Sequence, residues 1–156
     1  MIPIRAATLD DVEFIVHHRR AMFFDIGHRD EAKLDSMAAA FGPWLRQKME
    51  AGEYLAWVAL GPDHSVIAGL GLWLMDWPPH MIGGAARRGN IVNVYAEPAF
   101  RRQGIARRLM EIAVDWCQGN GVPTVILHAS EEGRPLYEKL GFRPTNEMRM
   151  LLDHAG

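Results

Sequence analysis

Cysteine is nearly absent from this sequence: Cys117 is the only one in 156 residues. A single thiol excludes an internal disulfide framework and any zinc site built from several cysteines. Long hydrophobic runs are missing as well. The longest uncharged apolar stretch, Val66 to Met75, has ten residues, well short of the ~20 needed to span a bilayer. Neither sign of charge dominates, since 17 basic residues face 19 acidic ones for a net charge of −2. That balance, with 49% hydrophobic and 23% charged residues, excludes a disordered tail, a collagen-like repeat and a globally basic nucleic-acid binder. The opening Met1-Ile2-Pro3-Ile4-Arg5-Ala6 has no basic stretch leading into an apolar one. No secretory signal is therefore expected, and a soluble cytoplasmic protein is. No repeat, low-complexity tract or linker divides the chain. At this length a single domain over residues 1–156 should bury about 70% of the surface of the unfolded chain.

What is present reads as alternating elements. Ile2 to Ala7 alternates as a short strand. Thr8, followed by Asp10 and Asp11, is an N-cap with acids where the helix dipole favours them. The helix it opens should run to about Ile26 with Val12, Ile15, Val16, Phe23 and Ile26 on one face. A second helix starts near Asp30, and Gly42-Pro43 should break or kink it before Trp44, Leu45 and Met49 resume the spacing. Glu53 to Leu60 and Ser65 to Trp77 predict two strands around the turn Gly61-Pro62-Asp63-His64. His80 to Gly89 reads as an exposed loop and Asn90 to Ala96 as a strand. Arg101 to Gln118 is the most periodic helix, with the stripe Ile105, Leu109, Ile112, Ala113 and Trp116 and a stop at Gly119-Asn120-Gly121. A strand at Thr124 to His128, a short helix at Glu131 to Leu140 and a last strand at Phe142 to Leu152 complete the chain. The order predicts an α/β domain with a mixed sheet covered by helices.

One segment carries chemistry. Asn90 to Arg108 reads NIVNVYAEPAFRRQGIARR, an apolar strand turning through a proline into a helix. Arg101, Arg102, Arg107 and Arg108 crowd the helix start, where each cation opposes the dipole by roughly a few tenths of a kcal/mol. A bound anion resolves the conflict: free backbone N–H groups at the helix start can cradle a phosphate, and Gly104 lets the backbone approach it. The plainer reading is a solvated basic helix end. Neither a P-loop nor a G-x-G-x-x-G fingerprint is present. Local physics reaches a generic phosphate site and stops there.

The segment Arg101-Arg102-Gln103-Gly104-Ile105-Ala106 resembles the pyrophosphate loop of the GNAT superfamily of N-acyltransferases. The preceding strand and turn, Val94-Tyr95-Ala96-Glu97-Pro98-Ala99-Phe100, fit the same pattern. So does Leu136-Tyr137-Glu138-Lys139-Leu140-Gly141-Phe142, which resembles the family's L-Y-x-x-L-G-F segment. The motif-level match covers about residues 90–145, and the element order nearly the whole chain. The resemblance implies a mostly antiparallel sheet splayed around acetyl-CoA. It implies main-chain bonds from Val94, Tyr95 and Ala96 to the pantetheine arm and thioester. Arg102, Gln103, Gly104, Ile105, Ala106 and Arg107 would wrap the pyrophosphate, with Arg101 beside it. Tyr137 matches the tyrosine that sits near the thioester sulfur as general acid, a reasonable role because a phenol can protonate the departing thiolate. Two positions depart from the pattern. Ser130 stands where members often carry asparagine, and no strand glutamate between Asn90 and Ala96 offers a general base. Asn93 holding a water, Asp76 and His80 remain alternatives for that role.

Other residues read more plainly. Cys117 beside Trp116 is a buried inert thiol. The seven histidines show no ligand spacing, so no metal is expected, and His128 reads as a structural histidine near the cleft. Trp73, Trp77 and Tyr54 read as core or rim. Asp25 and His28, between the first two helices, border the acceptor side by resemblance. The implied activity is transfer of an acetyl group from acetyl-CoA to an amine in a ternary complex, without a metal. The alternative is a non-catalytic acyl-CoA-binding regulatory module of the same fold. Nucleic-acid and membrane partners are not expected, and an exposed strand edge allows a homodimer.

Overall fold

The computed structural model describes residues 1–84 and 86–153. Five strands form one sheet in the order β1-β2-β3-β4-β5: β1 Ile4–Ala6, β2 Tyr54–Leu60, β3 Val66–Asp76, β4 Arg87–Ala96 and β5 Val125–Leu127. The first four pair antiparallel, and β5 joins β4 in parallel. Helices α1 (Val12–Asp25) and α2 (Glu31–Glu50) lie between β1 and β2, α3 (Ile105–Gly119) between β4 and β5, and α4 (Arg134–Lys139) follows β5. This is the expected α/β domain with a mixed, mostly antiparallel sheet. No helix among the described residues is long and apolar enough to cross a membrane.

The core lies on both faces of the sheet. Leu70, Leu72, Ile91, Leu109, Met110 and Ala113 pack the α3 face. Val12, Ile15, Phe41, Leu45, Tyr54 and Ala56 pack the face under α1 and α2. Thr8 caps the start of the first helical segment as expected: its side chain accepts from Asp10 N, and Asp11 reaches back to Thr8 N at 2.8 Å. Asp11 also binds Arg5, which holds its carboxyl below the usual carboxylate range.

Several expectations need correction. Pro43 does not break α2, which runs unbroken from Glu31 to Glu50. Proline in a helix interior costs about 3 kcal/mol. Burial of Phe41 and Leu45 on either side outweighs that, at about 1.5–3 kcal/mol per apolar side chain. Residues 87–89 belong to β4 rather than to the preceding loop, because β4 pairs with β3 as far as Asp76↔Arg87; the Ala85 of that loop lies outside the described residues. α3 starts at Ile105, not Arg101, since Gly104 adopts a left-handed conformation that ends the turn before it. Its buried stripe includes Met110 and Cys117, while Ile112 and Trp116 are half-buried. The last strand is not formed. Among the described residues, 143–152 pair with no strand and leave Met148, Met150 and Leu152 exposed: β5, the strand they would have to extend from, is only three residues long.

Candidate active site

The ladder between β4 and β5 stops at Ile91↔Leu127. Beyond it, Val92, Tyr95 and Ala96 stay paired with β3, but residues 92–96 have no strand partner on the other side among the described residues. The pairing with β3 also slips there, from Gly71↔Val92 to Gly69↔Tyr95. The extra residue is Asn93, whose φ of 58° is left-handed. A bulge of this kind bends a strand and re-aims its groups. The two strands diverge at this point and open a cleft of about 710 Å³.

Asn93 is held on both sides. Its Nδ2 donates to the Tyr54 hydroxyl at 2.9 Å, and its Oδ1 accepts from Arg19 Nη1 at 2.8 Å. Tyr54 is wholly buried, and the loss of water pushes its phenol pKa well above the ordinary value, so it serves as a fixed neutral anchor. Its hydroxyl has this place because residue 71 is glycine: a Cβ there would run into it. Tyr54 and Asn93 are therefore built into the bulge.

Among the residues expected at the site, Val94, Ser130 and Tyr137 line the cleft. Tyr137 sits in α4, nearly buried, and burial raises its phenol pKa. No partner for its hydroxyl is found among the described residues. Its ring lies against Gly133, where a Cβ would come within 2.7 Å of it. Ser130 Oγ accepts from Gly133 N at 3.1 Å, so this hydroxyl shapes the turn that delivers Tyr137. The side chain of Tyr95 turns away from the cleft to meet the buried ring of His18, 5.1 Å between centroids.

The helix start divides its arginines. Arg101 folds back, with Nε on the Ala96 carbonyl at 2.8 Å and Nη2 on Asp25 at 2.7 Å. Arg108 reaches the Ile2 carbonyl, and Arg107 pairs with Glu111. Arg102, Gln103 and Gly104 are exposed. Arg102 has φ 63° and Gly104 φ 77°, and no side chain caps α3. The first-turn N–H groups at Ile105, Ala106 and Arg107 thus remain free to meet an anion.

Asp76 and His80 do not line the cleft, whereas His28 and His128 do. His128 is exposed, with Nε2 3.5 Å from Glu147. Trp73 lines the cleft, while Trp77 carries Arg88 4.0 Å over its ring. Cys117 is buried and its thiol pKa raised by burial. Arg19, Phe41, Trp44 and Asn90 also line the cleft, and the sequence reading placed none of them there.

The family model described as Acetyltransferase (GNAT) family matches residues 13–142. The chain belongs to the GNAT acetyltransferases. Among solved structures, a GCN5-related N-acetyltransferase from Ralstonia eutropha JMP134 is 36% identical, covers 100% of both chains and superposes with a TM-score of 0.92. A predicted acetyltransferase from Clostridium acetobutylicum with acetyl-CoA is 28% identical over 97% of this chain and 96% of its own, with a TM-score of 0.86. A glucosamine 6-phosphate N-acetyltransferase from Trypanosoma brucei brucei is 39% identical over 80 residues, which are 51% of this chain and 53% of that protein. The match thus spans about half the length of that curated relative. The GNAT match includes the splayed β4, the α3 loop and α4.

Proposed function

We propose that the protein transfers an acetyl group from acetyl-CoA to an amine by direct attack in a ternary complex. The observation that carries this reading is the cleft at the divergence of β4 and β5 with the unpartnered Tyr137 hydroxyl on its wall. The residues present suit the cosubstrate. The unpaired backbone of residues 92–96 offers an edge for an extended polar chain. The uncapped start of α3, with Arg102, Gln103, Gly104, Ile105, Ala106 and Arg107, offers donors for a pyrophosphate. Ser130 is the added polar contact, and Arg101 supports the loop through Ala96 and Asp25.

Acetyl-CoA, when bound, supplies the activated acyl group and a thiolate leaving group. A backbone N–H in the open half of β4 is fixed in place by the Asn93 bulge and is suited to stabilise developing negative charge on a carbonyl oxygen. Tyr137, kept protonated by burial, donates a proton toward the sulfur. The amine must lose a proton, and His28 and His128 are the cleft side chains suited to accept it, directly or through water.

The test is a thiol-release assay over a panel of amines. Wild type is expected to turn over at least one amine. Tyr137→Phe should lose about 10²–10⁴ in kcat with its acetyl-CoA KM and melting temperature nearly unchanged. Acetyl-CoA binding with no turnover of any amine would instead identify a non-catalytic binding module.

A further inference from the structure

The cleft has a part that acetyl-CoA does not explain. None of the residues 101–107 lines it, so the proposed pyrophosphate position lies elsewhere. Its α1/α2 side is walled by Phe41, Trp44 and Trp73, with Arg19 among them. The Arg19 guanidinium lies 4.8 Å from the Phe41 ring centre and 5.0 Å from that of Phe23. Nη1 donates to the neutral Asn93 amide, and Nε is buried with no hydrogen-bond partner.

Several arginines of this chain have a carboxylate partner. Arg5 has Asp11, Arg20 has Glu31 and Asp35, and Arg101 has Asp25. Arg19, next in sequence to Arg20, has none among the described residues. The described cleft lining contains no Asp or Glu at all, yet it includes Arg149 besides Arg19. A desolvated guanidinium is costly unless it is paired. Two ring contacts and one neutral hydrogen bond offset only part of that cost. The same wall also carries an unpartnered acceptor, the buried Asn90 Oδ1.

We infer that the acceptor amine carries an anionic group, phosphate or carboxylate, which pairs with Arg19. This rests on the acetyltransferase reading above and names the substrate class of that site. With Nη1 committed to Asn93 and Nε enclosed, Nη2 is the donor left to meet the anion, and a charge-assisted hydrogen bond from it suits either group. Arg19 is thus a specificity-determining residue. The aromatic wall packs the rest of the acceptor, and the absence of acids disfavours polyamines.

The experiment compares matched amines with saturating acetyl-CoA: glucosamine 6-phosphate against glucosamine, and L-alanine against L-alaninamide, within a wider panel of such pairs. The expected result is a higher kcat/KM for the anionic member, carried by KM. Arg19→Gln should lower that preference about ten- to hundredfold, the value of one charged hydrogen bond, and Arg19→Lys should restore part of it. The two pairs separate phosphate from carboxylate. If Arg19 merely props Asn93, both members of a pair fall together and their ratio is unmoved, which overturns the inference. Preference for the neutral members, or for polyamines, overturns it too while leaving the acetyltransferase intact. Acetyl-CoA binding without turnover of any amine defeats the parent reading, and this one with it.

Discussion

The closed and open parts of the sheet obey different rules. From β1 to the first half of β4 the strands pair continuously, apart from one irregularity near Leu60, and large side chains such as Leu72 are fully buried. From Val92 onward the same β4 is bulged, unpaired on one side and bordered by Arg102 and Gly104 in left-handed backbone. Among the described residues, two of the three buried side-chain polar atoms without partners belong to Arg19 and Asn90, which line this cleft. The closed part spends its residues on burial. The open part keeps backbone and polar groups unsatisfied, as a surface that must receive ligands requires.

If the division is real, the two parts should fail differently. Leu72→Ala, in the closed part, should cost about 2–5 kcal/mol of stability while the folded fraction keeps its affinity for acetyl-CoA. Urea unfolding and binding measured on the same variant check both halves of that statement. A large affinity loss per folded molecule would erase the distinction.

His18 sits at the boundary, 1% exposed beneath α1, and burial lowers its pKa from 6.5 to about 4. The unfolded chain binds this proton at the higher pH and the folded chain only near 4. Stability is therefore whole above about pH 6.5 and declines as pH falls toward 4, by roughly 3 kcal/mol in all. Urea unfolding at a series of pH values should show this slope, and His18→Gln should flatten it between pH 6.5 and 4.5. An unchanged slope would place His18 outside the packed region.

The closed part was largely legible in the sequence. Alternation marked β2 and β3, the Thr8 cap marked the start of the first helical segment, and the apolar stripe marked α3, because each pattern is the direct imprint of burial at one period. Pro43 misled because local propensity loses to the burial of Phe41 and Leu45. The last strand misled because alternation in residues 142–152 shows which residues share a face, not whether a neighbouring strand exists to cover it. In the open part, the loop was legible through Gly104 and its arginines, and Tyr137 only through family resemblance. Arg19 was not legible at all. In sequence Arg19 and Arg20 are equivalent, and only the fold gives one its carboxylates and withholds them from the other.

The central claim is that the open part binds acetyl-CoA through the backbone at the start of α3. Gly104 tests it most directly, since its left-handed φ of 77° suits glycine and nothing lies within 4 Å of an added Cβ. Calorimetric titration of acetyl-CoA into wild type and Gly104→Val is the decisive measurement. The account predicts one site per chain in wild type and an affinity lower by about ten- to hundredfold in the variant, the value of one charged hydrogen bond, with the variant still folded. No binding to wild type, or equal affinity in a folded variant, would contradict it.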